Sequence, residues 1–206
     1  MEKLILVDLN PQVCAAFERY FENLPNVEIF EGYFEQLREY DCFVSAANSF
    51  GLMDGGVDAA ITRFFGEQLM RRVQENIIEQ YFGEQPVGTS MIVETGAARF
   101  PYLAHTPTMR VPMAISRTDH VYLAMWAMLR AVHQHNQTQE RQIKTVACPG
   151  LGTGVGKMSP NEAARQMALA YHNYLNPPAY INWGFASERQ AQIRYGGDLS
   201  YNFPNA

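Results

Sequence analysis

Short apolar runs alternate with longer stretches of helical spacing along most of this chain. The short runs predict strands at Lys3–Val7, Val27–Phe30, Cys42–Ala46, Thr89–Glu94, Tyr102–Thr106 and Ile143–Cys148. The helical spacing predicts helices that start at Pro11 and that run from about Val57 to Gln80, from about Thr118 to His133 and from Pro160 to Leu175. Strands that alternate with helices predict a mainly parallel sheet covered by helices on both faces.

Two of the predicted helix starts carry capping signals. Asn10 precedes Pro11, and Ser159 precedes Pro160, with Glu162 three residues after the Ser. The side chain of an Asn or Ser cap accepts a hydrogen bond from the first helical turn, and Pro suits the first helical position. We therefore expect helices to begin at Pro11 and at Pro160.

Two glycine-rich loops each connect a predicted strand to a predicted helix. The first loop runs from Ser45 to Asp58, and the second runs from Pro149 to Lys157. A glycine turn at a helix N-terminus offers free backbone N–H groups and a positive dipole end, which suit a phosphate. Both loops lie at the carboxyl ends of strands, so together they could hold the two phosphates of one diphosphate. Two tight turns without a ligand remain the alternative, because glycine motifs alone are weak signals.

The first loop resembles the signature loop of macro domains, the ADP-ribose-binding family. Residues 45–61 are similar to the family pattern of Asn-Ala-Ala-Asn, a glycine run and Val-Asp at the head of a helix. Residues 152–156 resemble the family's second phosphate loop, and residues 86–96 and 102–106 resemble two of its strands. The matches follow the family's order within residues 1–175. The resemblance implies an α/β fold of three layers, α/β/α, with a central mixed, mainly parallel sheet.

The resemblance also implies a set of site residues. Asn48 and Asp58 are ten positions apart, as in the hydrolytic macro domains, where these residues face the distal ribose. Asp58 would orient the water that attacks the anomeric carbon, and no metal or cofactor is required. The resemblance assigns ligand binding to Tyr33, Gly55, Gly56, Val57, Gly152, Thr153, Gly154, Val155 and Gly156. Without the resemblance, Asn48 would be a structural cap of the loop and Asp58 a charge favoured by the helix dipole.

Four positions of the first loop and its helix depart from the family pattern. Ser45 replaces the first Asn of the signature, and Thr62 stands where a His is common. Met53 and Asp54 interrupt the glycine run and make the loop bulkier and more acidic. An Asp54 carboxylate beside a diphosphate would repel it unless the carboxylate points away or holds a cation.

The segment that reads adenine in the family is also altered. Tyr33 stands where the resemblance places an Asp that accepts from the adenine amino group. Tyr33 could stack on adenine, but it cannot accept from that amino group as a carboxylate would. Glu35 and Asp8 are the carboxylates that could substitute.

Two functions fit this pattern. The first is a hydrolase that removes mono-ADP-ribose from protein carboxylates or splits O-acetyl-ADP-ribose, and the spacing of Asn48 and Asp58 favours it. The alternative is a non-catalytic reader, sensor or sponge of ADP-ribose or of another NAD-derived nucleotide. The altered glycine run, Thr62 and Tyr33 favour that alternative. In both cases the expected partner is ADP-ribose or an ADP-ribosylated protein.

Net charge and cysteine spacing indicate which kinds of partner and site to expect, and the distribution of apolar residues indicates the cellular location. A formal net charge of −5 argues against broad nucleic-acid binding. Cys14, Cys42 and Cys148 lack metal or redox spacing, so we expect buried or half-buried reduced thiols and no metal site. We expect no signal peptide and no membrane span, which together predict a cytoplasmic protein.

Two further charged or titratable residues lie near the predicted site. His105 ends a predicted strand, and we expect a satisfied structural residue, because His is commonly partly buried. Lys157 follows the second glycine loop and could meet a phosphate, but the pattern favours a solvated charge at the entry to a helix.

The helical pattern stops at Leu175, where Asn176-Pro177-Pro178 begins a tail without a family counterpart. We therefore predict a macro domain over residues 1–175 and a C-terminal extension over residues 176–206, packed on or beside it. Within the extension, residues 180–185 are expected to form a short strand or to pack on the core, because their aromatic side chains are usually buried.

Overall fold

The computed structural model describes residues 1–195, and six strands lie within them. The strands are β1 (Lys3–Asp8), β2 (Val27–Glu31), β3 (Cys42–Asn48), β4 (Met91–Glu94), β5 (Tyr102–Met109) and β6 (Thr145–Cys148). They form one sheet in the order β2-β1-β6-β3-β5-β4, in which β4 is antiparallel to β5 and all other neighbours are parallel. The predicted mixed, mainly parallel sheet is confirmed.

Six α-helices accompany the sheet within the same residues. They are α1 (Pro11–Phe21), α2 (Gly56–Phe65), α3 (Glu67–Tyr81), α4 (His120–Thr138), α5 (Pro160–Leu175) and α6 (Trp183–Ile193). Helices α1, α4 and α5 share one apolar cluster with one face of the sheet, and α2 and α3 share a second cluster with the other face. The predicted three-layer α/β/α arrangement is therefore confirmed.

The strands are apolar on both faces because helices cover both. Along β1, Leu4 and Leu6 enter the cluster beneath α1, α4 and α5, whereas Ile5 and Val7 enter the cluster beneath α2 and α3. All four side chains are buried. Burial of such a side chain contributes roughly 1.5–3 kcal/mol, which explains why β1 reads as a continuous apolar run rather than an alternating one.

The two capped helix starts are confirmed. The Asn10 side chain accepts from the backbone N–H of Gln12 at 2.9 Å, and α1 begins at Pro11. The Ser159 hydroxyl accepts from the backbone N–H of Glu162 at 3.3 Å, and α5 begins at Pro160. Local side-chain chemistry alone therefore fixes both of these boundaries.

The single helix expected from Val57 to Gln80 is wrong. Gly66 separates α2 from α3, with φ of 88° and ψ of 158°. This backbone region is open essentially to glycine alone. The apolar spacing continues on both sides of Gly66, so periodicity could not reveal the break. The structure also extends the helix expected to end near His133 to Thr138.

The strand or core packing expected for residues 180–185 is also wrong. The Asn182 side chain caps a helix, α6, that begins at Trp183, and none of the residues of α6 is buried. Arg165 of α5 holds the end of α6 by donating to the carbonyl oxygen of Gln192 at 2.8 Å. Residues 196–206, the rest of the expected extension, lie outside the described part of the chain, and the proposed division at residue 175 stays a prediction.

The three cysteines are free and buried, as expected. Burial raises the pKa of Cys14, Cys42 and Cys148, so all three thiols stay protonated at neutral pH. Within residues 1–195, no helix combines the length and the apolar character needed to cross a membrane.

Candidate ligand-binding site

A cavity of about 420 Å³ opens between the two glycine loops, at the carboxyl edge of the sheet. Small-molecule sites typically enclose roughly 300–1,000 Å³. The structure brings every predicted site residue to the wall of this one cavity: Tyr33, Asn48, Gly55, Gly56, Val57, Asp58, Gly152, Thr153, Gly154, Val155 and Gly156. The loops after β3 and β6, about a hundred residues apart in the chain, therefore line a common site.

Asn48 organises the first loop. Its side-chain oxygen accepts from the backbone N–H groups of Phe50 and Leu52, at 3.0 and 3.3 Å, and its amide donates to the carbonyl oxygen of Leu52 at 2.8 Å. This is the structural cap that the sequence left open as an alternative role. An amide nitrogen carries two hydrogens, and the carbonyl oxygen of Leu52 accepts one of them.

The altered residues of the first loop also have structural roles. Met53 is buried, so its bulk fills the core rather than the cavity. Thr62, at the position where a His is common, donates from its hydroxyl to the carbonyl oxygen of Met53 at 2.8 Å and ties the loop to α2. Asp54 is exposed and lines the cavity, so its carboxylate lies on the same wall as the glycine run.

Asp58 is buried at the start of α2, and its carboxylate has a specific partner. The Ser45 hydroxyl of β3 lies 2.7 Å from Oδ1 of Asp58. Burial raises the pKa of Asp58 to about 6, the Ser45 hydrogen bond lowers it, and the charge of Asp54 raises it. A pKa near 6 leaves Asp58 mostly ionised at pH 7.

Asp8, at the end of β1, holds the second loop. Its Oδ2 accepts from the backbone N–H of Gly150 at 3.1 Å, and its Oδ1 accepts from that of Asn10 at 2.9 Å. These two bonds give Asp8 a structural role at the start of the second loop, although it also lines the cavity. Glu35 lines the cavity together with Tyr33, a residue that is 57% exposed.

The glycines of the two loops fall into two groups. A Cβ at Gly152 would lie 2.9 Å from the Ile115 side chain, and one at Gly156 would lie 2.5 Å from a backbone oxygen, so close packing explains both glycines. A Cβ at Gly55, Gly56 or Gly154 would meet nothing within 4 Å. These open positions are where a ligand can approach the backbone closely.

Arg63 is a lining residue that the sequence reasoning missed. It is the one Lys or Arg side chain among the described residues on the cavity wall. Val57, Ala60 and Arg63 follow one another at intervals of three on α2 and all line the cavity. Projecting the helix from Val57 would have identified Arg63, because residues three apart share a helix face.

These features define a three-layer α/β domain with a small-molecule cavity between two strand-to-helix glycine loops. A model of the macro domain family matches residues 44–167, more than half of the chain. The chain therefore belongs to the macro domain family.

Relatives of this chain are found in bacteria and archaea. An uncharacterized protein of Aquifex aeolicus is 36% identical over 127 residues, which cover 62% of this chain and 70% of that protein. An uncharacterized protein of Mycobacterium tuberculosis is 32% identical over 170 residues, which cover 79% of this chain and 43% of that protein. The match thus spans less than half of the mycobacterial relative.

Solved macrodomains share the fold. A mutant of the Oceanobacillus iheyensis macrodomain, solved with ADPR, aligns with a TM-score of 0.59 at 20% identity over 79% of this chain and 89% of its own. The macrodomain of Mycobacterium tuberculosis DarG aligns with a TM-score of 0.58 at 20% identity, over 71% of this chain and 89% of its own. At this level of identity the likeness concerns the fold alone.

Proposed function

We propose that this chain binds ADP-ribose in the cavity between its two glycine loops. The diphosphate would lie against the open backbone at Gly55, Gly56 and Gly154, and the adenine would lie toward Tyr33. The observation that carries the proposal is the convergence of both loops on one cavity of suitable size. The ADPR-bound macrodomain with the same fold supports this choice of ligand.

We further propose that the chain is a hydrolase that removes mono-ADP-ribose from protein carboxylates or splits O-acetyl-ADP-ribose. On an ADP-ribosylated protein, water would form a bond to the anomeric carbon of the distal ribose while the bond from that carbon to the ester oxygen breaks and the protein carboxylate leaves. The ionised Asp58 would orient the water and accept its proton. The buried position of Asp58 on the cavity wall, with a pKa near 6, supports this role.

A non-catalytic reader, sensor or sponge is the second candidate. The engagement of the Asn48 side chain with its own loop favours this reading, because less of its hydrogen-bonding capacity is left for the distal ribose. The placement of Tyr33 where the family pattern has a carboxylate favours it too. Binding without turnover would identify this function.

Replacement of Asp58 separates the two functions. We expect Asp58→Ala to abolish hydrolysis of an ADP-ribosylated carboxylate and to leave ADP-ribose affinity largely intact, because the backbone groups that hold the diphosphate remain. Calorimetry and product analysis on the same samples measure both properties. Glu94→Ala, which removes an exposed carboxylate of β4, is the control and should retain both. Turnover that survives in Asp58→Ala would reject the assigned chemistry.

A further inference from the structure

The ring of Phe64 joins the end of α2 to the segment that follows β2. Phe64 lies edge-on to Phe34, with the ring centroids 5.5 Å apart, and Phe34 is itself buried in the core. The chain neighbours of these two rings are Tyr33, Glu35 and Arg63, and all three line the cavity. They therefore lie at one end of the cavity, which we call the base end because the adenine of the proposed ligand lies toward Tyr33.

Helix α2 connects the base end to the first glycine loop. Val57, Ala60 and Arg63 all line the cavity, at intervals of three residues along this helix. At a rise of 1.5 Å per residue, Arg63 lies about 9 Å farther along the helix axis than Val57. The diphosphate of the proposed ligand would lie at the start of the helix, against the backbone of Gly55 and Gly56. Arg63 is thus well separated from the phosphates that this loop would hold.

The guanidinium of Arg63 has no protein partner among the described residues. Arg63 is exposed, and the ion pairs and hydrogen bonds within residues 1–195 do not include its side chain. Glu35, the acidic residue at the base end, does not form an ion pair with it. A guanidinium offers five N–H donors in one plane. The positive charge of Arg63 is therefore not neutralised by a neighbouring carboxylate of the described chain.

ADP-ribose gives this cation no counterpart. Its charged groups are the two phosphates, which the glycine loops would hold, whereas its adenine and its adenosine ribose are neutral. A phosphate on the 2′ oxygen of that ribose changes this, because C2′ is bonded to the carbon that carries the base. A 2′-phosphate therefore lies beside the base, while the diphosphate leaves the ribose at C5′. The base end is accordingly where a 2′-phosphate would meet the protein.

We propose that the cavity binds the 2′-phosphorylated form of ADP-ribose more tightly than ADP-ribose itself, and that Arg63 binds the 2′-phosphate. This inference rests on the proposed ADP-ribose site, and it names a nucleotide of the NADP class rather than the NAD class. Guanidinium and phosphate form short, charge-assisted and often paired hydrogen bonds. An Arg beside the adenosine ribose is also how dinucleotide-binding folds accommodate the 2′-phosphate of NADP.

Glu35 opposes this binding, because its negative charge lies at the same end of the cavity. Glu35 is exposed, so water and salt screen its repulsion, whereas the contact between Arg63 and the phosphate is direct. We expect Glu35→Gln to increase the preference for the 2′-phosphorylated ligand by roughly twofold to threefold, as the loss of one exposed charge does. The preference is the ratio of the two dissociation constants. A preference that falls in Glu35→Gln would contradict this placement of the phosphate.

Calorimetry on the wild-type protein tests the preference directly. ADP-ribose and ADP-ribose 2′-phosphate are compared at the same pH and the same ionic strength. We expect the 2′-phosphate to tighten binding by about tenfold or more, the effect of a hydrogen bond between charged groups. The gain should shrink as the salt concentration rises. Equal or weaker binding of the 2′-phosphorylated ligand by the folded wild-type protein would overturn the proposal.

Arg63→Gln tests the assignment of the phosphate to one side chain. The variant removes the positive charge, so we expect the two ligands to bind equally well. Arg71→Gln is the matched control, because Arg71 is an exposed arginine of α3 that does not line the cavity. It should keep the wild-type preference. A preference that survives in Arg63→Gln, or that is lost equally in Arg71→Gln, would reject Arg63 as the residue that binds the phosphate.

Smaller ligands examine the base end without the diphosphate and the distal ribose. Adenosine 2′,5′-bisphosphate and adenosine 3′,5′-bisphosphate are compared with AMP, which has neither additional phosphate. We expect the 2′,5′-bisphosphate to bind most tightly, and we expect its gain over AMP to disappear in Arg63→Gln. A gain confined to the 3′,5′-bisphosphate would overturn the assignment to the 2′ position.

These outcomes are separable from those of the proposed function. Binding of ADP-ribose without any gain from the 2′-phosphate would keep the proposed function and reject this subsite. A gain for adenosine 2′,5′-bisphosphate that depends on Arg63, in a protein that does not bind ADP-ribose, would keep the subsite and reject the ADP-ribose site. None of these measurements requires the protein to be a hydrolase.

Discussion

Asp58 is the residue on which the proposed hydrolysis depends, and the burial of its carboxylate costs folding free energy. The carboxylate is buried at the start of α2 with one hydroxyl donor, and burial raises its pKa from 3.8 to about 6. The folded state therefore binds a proton between those two values that the unfolded chain has released. The contribution of Asp58 to the free energy of unfolding therefore falls as the pH rises from about 4 to about 6.

Asp58→Asn should remove the free-energy cost of burying this ionised carboxylate. We expect the variant to be more stable than the wild type by up to about 3 kcal/mol at pH 7, because the buried charge is gone and the amide oxygen still accepts from Ser45. At pH 4 the difference should vanish, because wild-type Asp58 is then protonated in the folded state. Urea unfolding at both pH values measures the effect.

The exposed Glu94 of β4 offers a control for this stability change. Glu94→Gln should alter the unfolding free energy by less than roughly 0.5 kcal/mol at either pH, as surface substitutions usually do. Equal effects of Asp58→Asn at pH 4 and pH 7 would argue against a buried, destabilising charge.

At the scale of elements, Gly66 ends the helix that lines the cavity. Helix α2 carries Val57 and Arg63 on the cavity wall, and α3 begins directly after Gly66. The φ and ψ of Gly66 lie in a region that a residue with a Cβ adopts only under strain.

Substitution at Gly66 tests this role. We expect Gly66→Ala to destabilise the fold by about 1–3 kcal/mol, because its φ of 88° and ψ of 158° strain any residue with a Cβ. Gly154→Ala is the matched control, since a Cβ also meets nothing within 4 Å there and no positive φ is required. Thermal unfolding compares the two variants, and an equal loss in both would refute strain at Gly66 as the cause.

Sequence patterns predicted those elements whose boundaries are set by local chemistry. The Asn10 and Ser159 caps fixed two helix starts, and apolar runs located all six strands to within a few residues. The break at Gly66 and the helix at Trp183 were missed for a different reason. Apolar spacing carries no signal for a backbone angle, so the sequence did not reveal the break at Gly66. The aromatic residues near Trp183 led us to expect burial, but none of the residues of α6 is buried.

The candidate site also has features that the sequence predicted and features that it could not predict. Glycine loops at strand ends predicted which residues would line the cavity, and all of them do. The pairing of Ser45 with Asp58 depends on strand register and on the direction of side chains within the core. The same holds for buried His105, whose Nδ1 contacts Gln85. Its Nε2 has no hydrogen-bond partner within residues 1–195, so the expectation of a satisfied structural His is wrong for that atom. Neither property can be deduced from one sequence without the fold.

At the scale of the whole molecule, one edge of one sheet supplies the entire candidate site. The ends of β1, β3, β5 and β6 and the two glycine loops all meet there, and the protein's net charge of −5 includes acidic side chains on the cavity wall. The negative charges of Asp54 and Glu35 repel an anionic ligand. The positive charge of Arg63 and the open backbone of the loops attract one. Whether a diphosphate binds is therefore the central question about this domain.

Calorimetry with ADP-ribose answers that question most directly, with ADP and NAD as comparison ligands. We predict a dissociation constant on the order of micromolar for the wild-type protein. Gly154→Glu should weaken binding by about a hundredfold or more, because a Cβ at Gly154 meets open space and the added carboxylate would repel the diphosphate in the proposed site. Ile78→Glu, which adds the same charge at an exposed site on α3, should bind like the wild type. A folded wild-type protein that does not bind ADP-ribose, or equal affinities in Gly154→Glu and Ile78→Glu, would contradict the account.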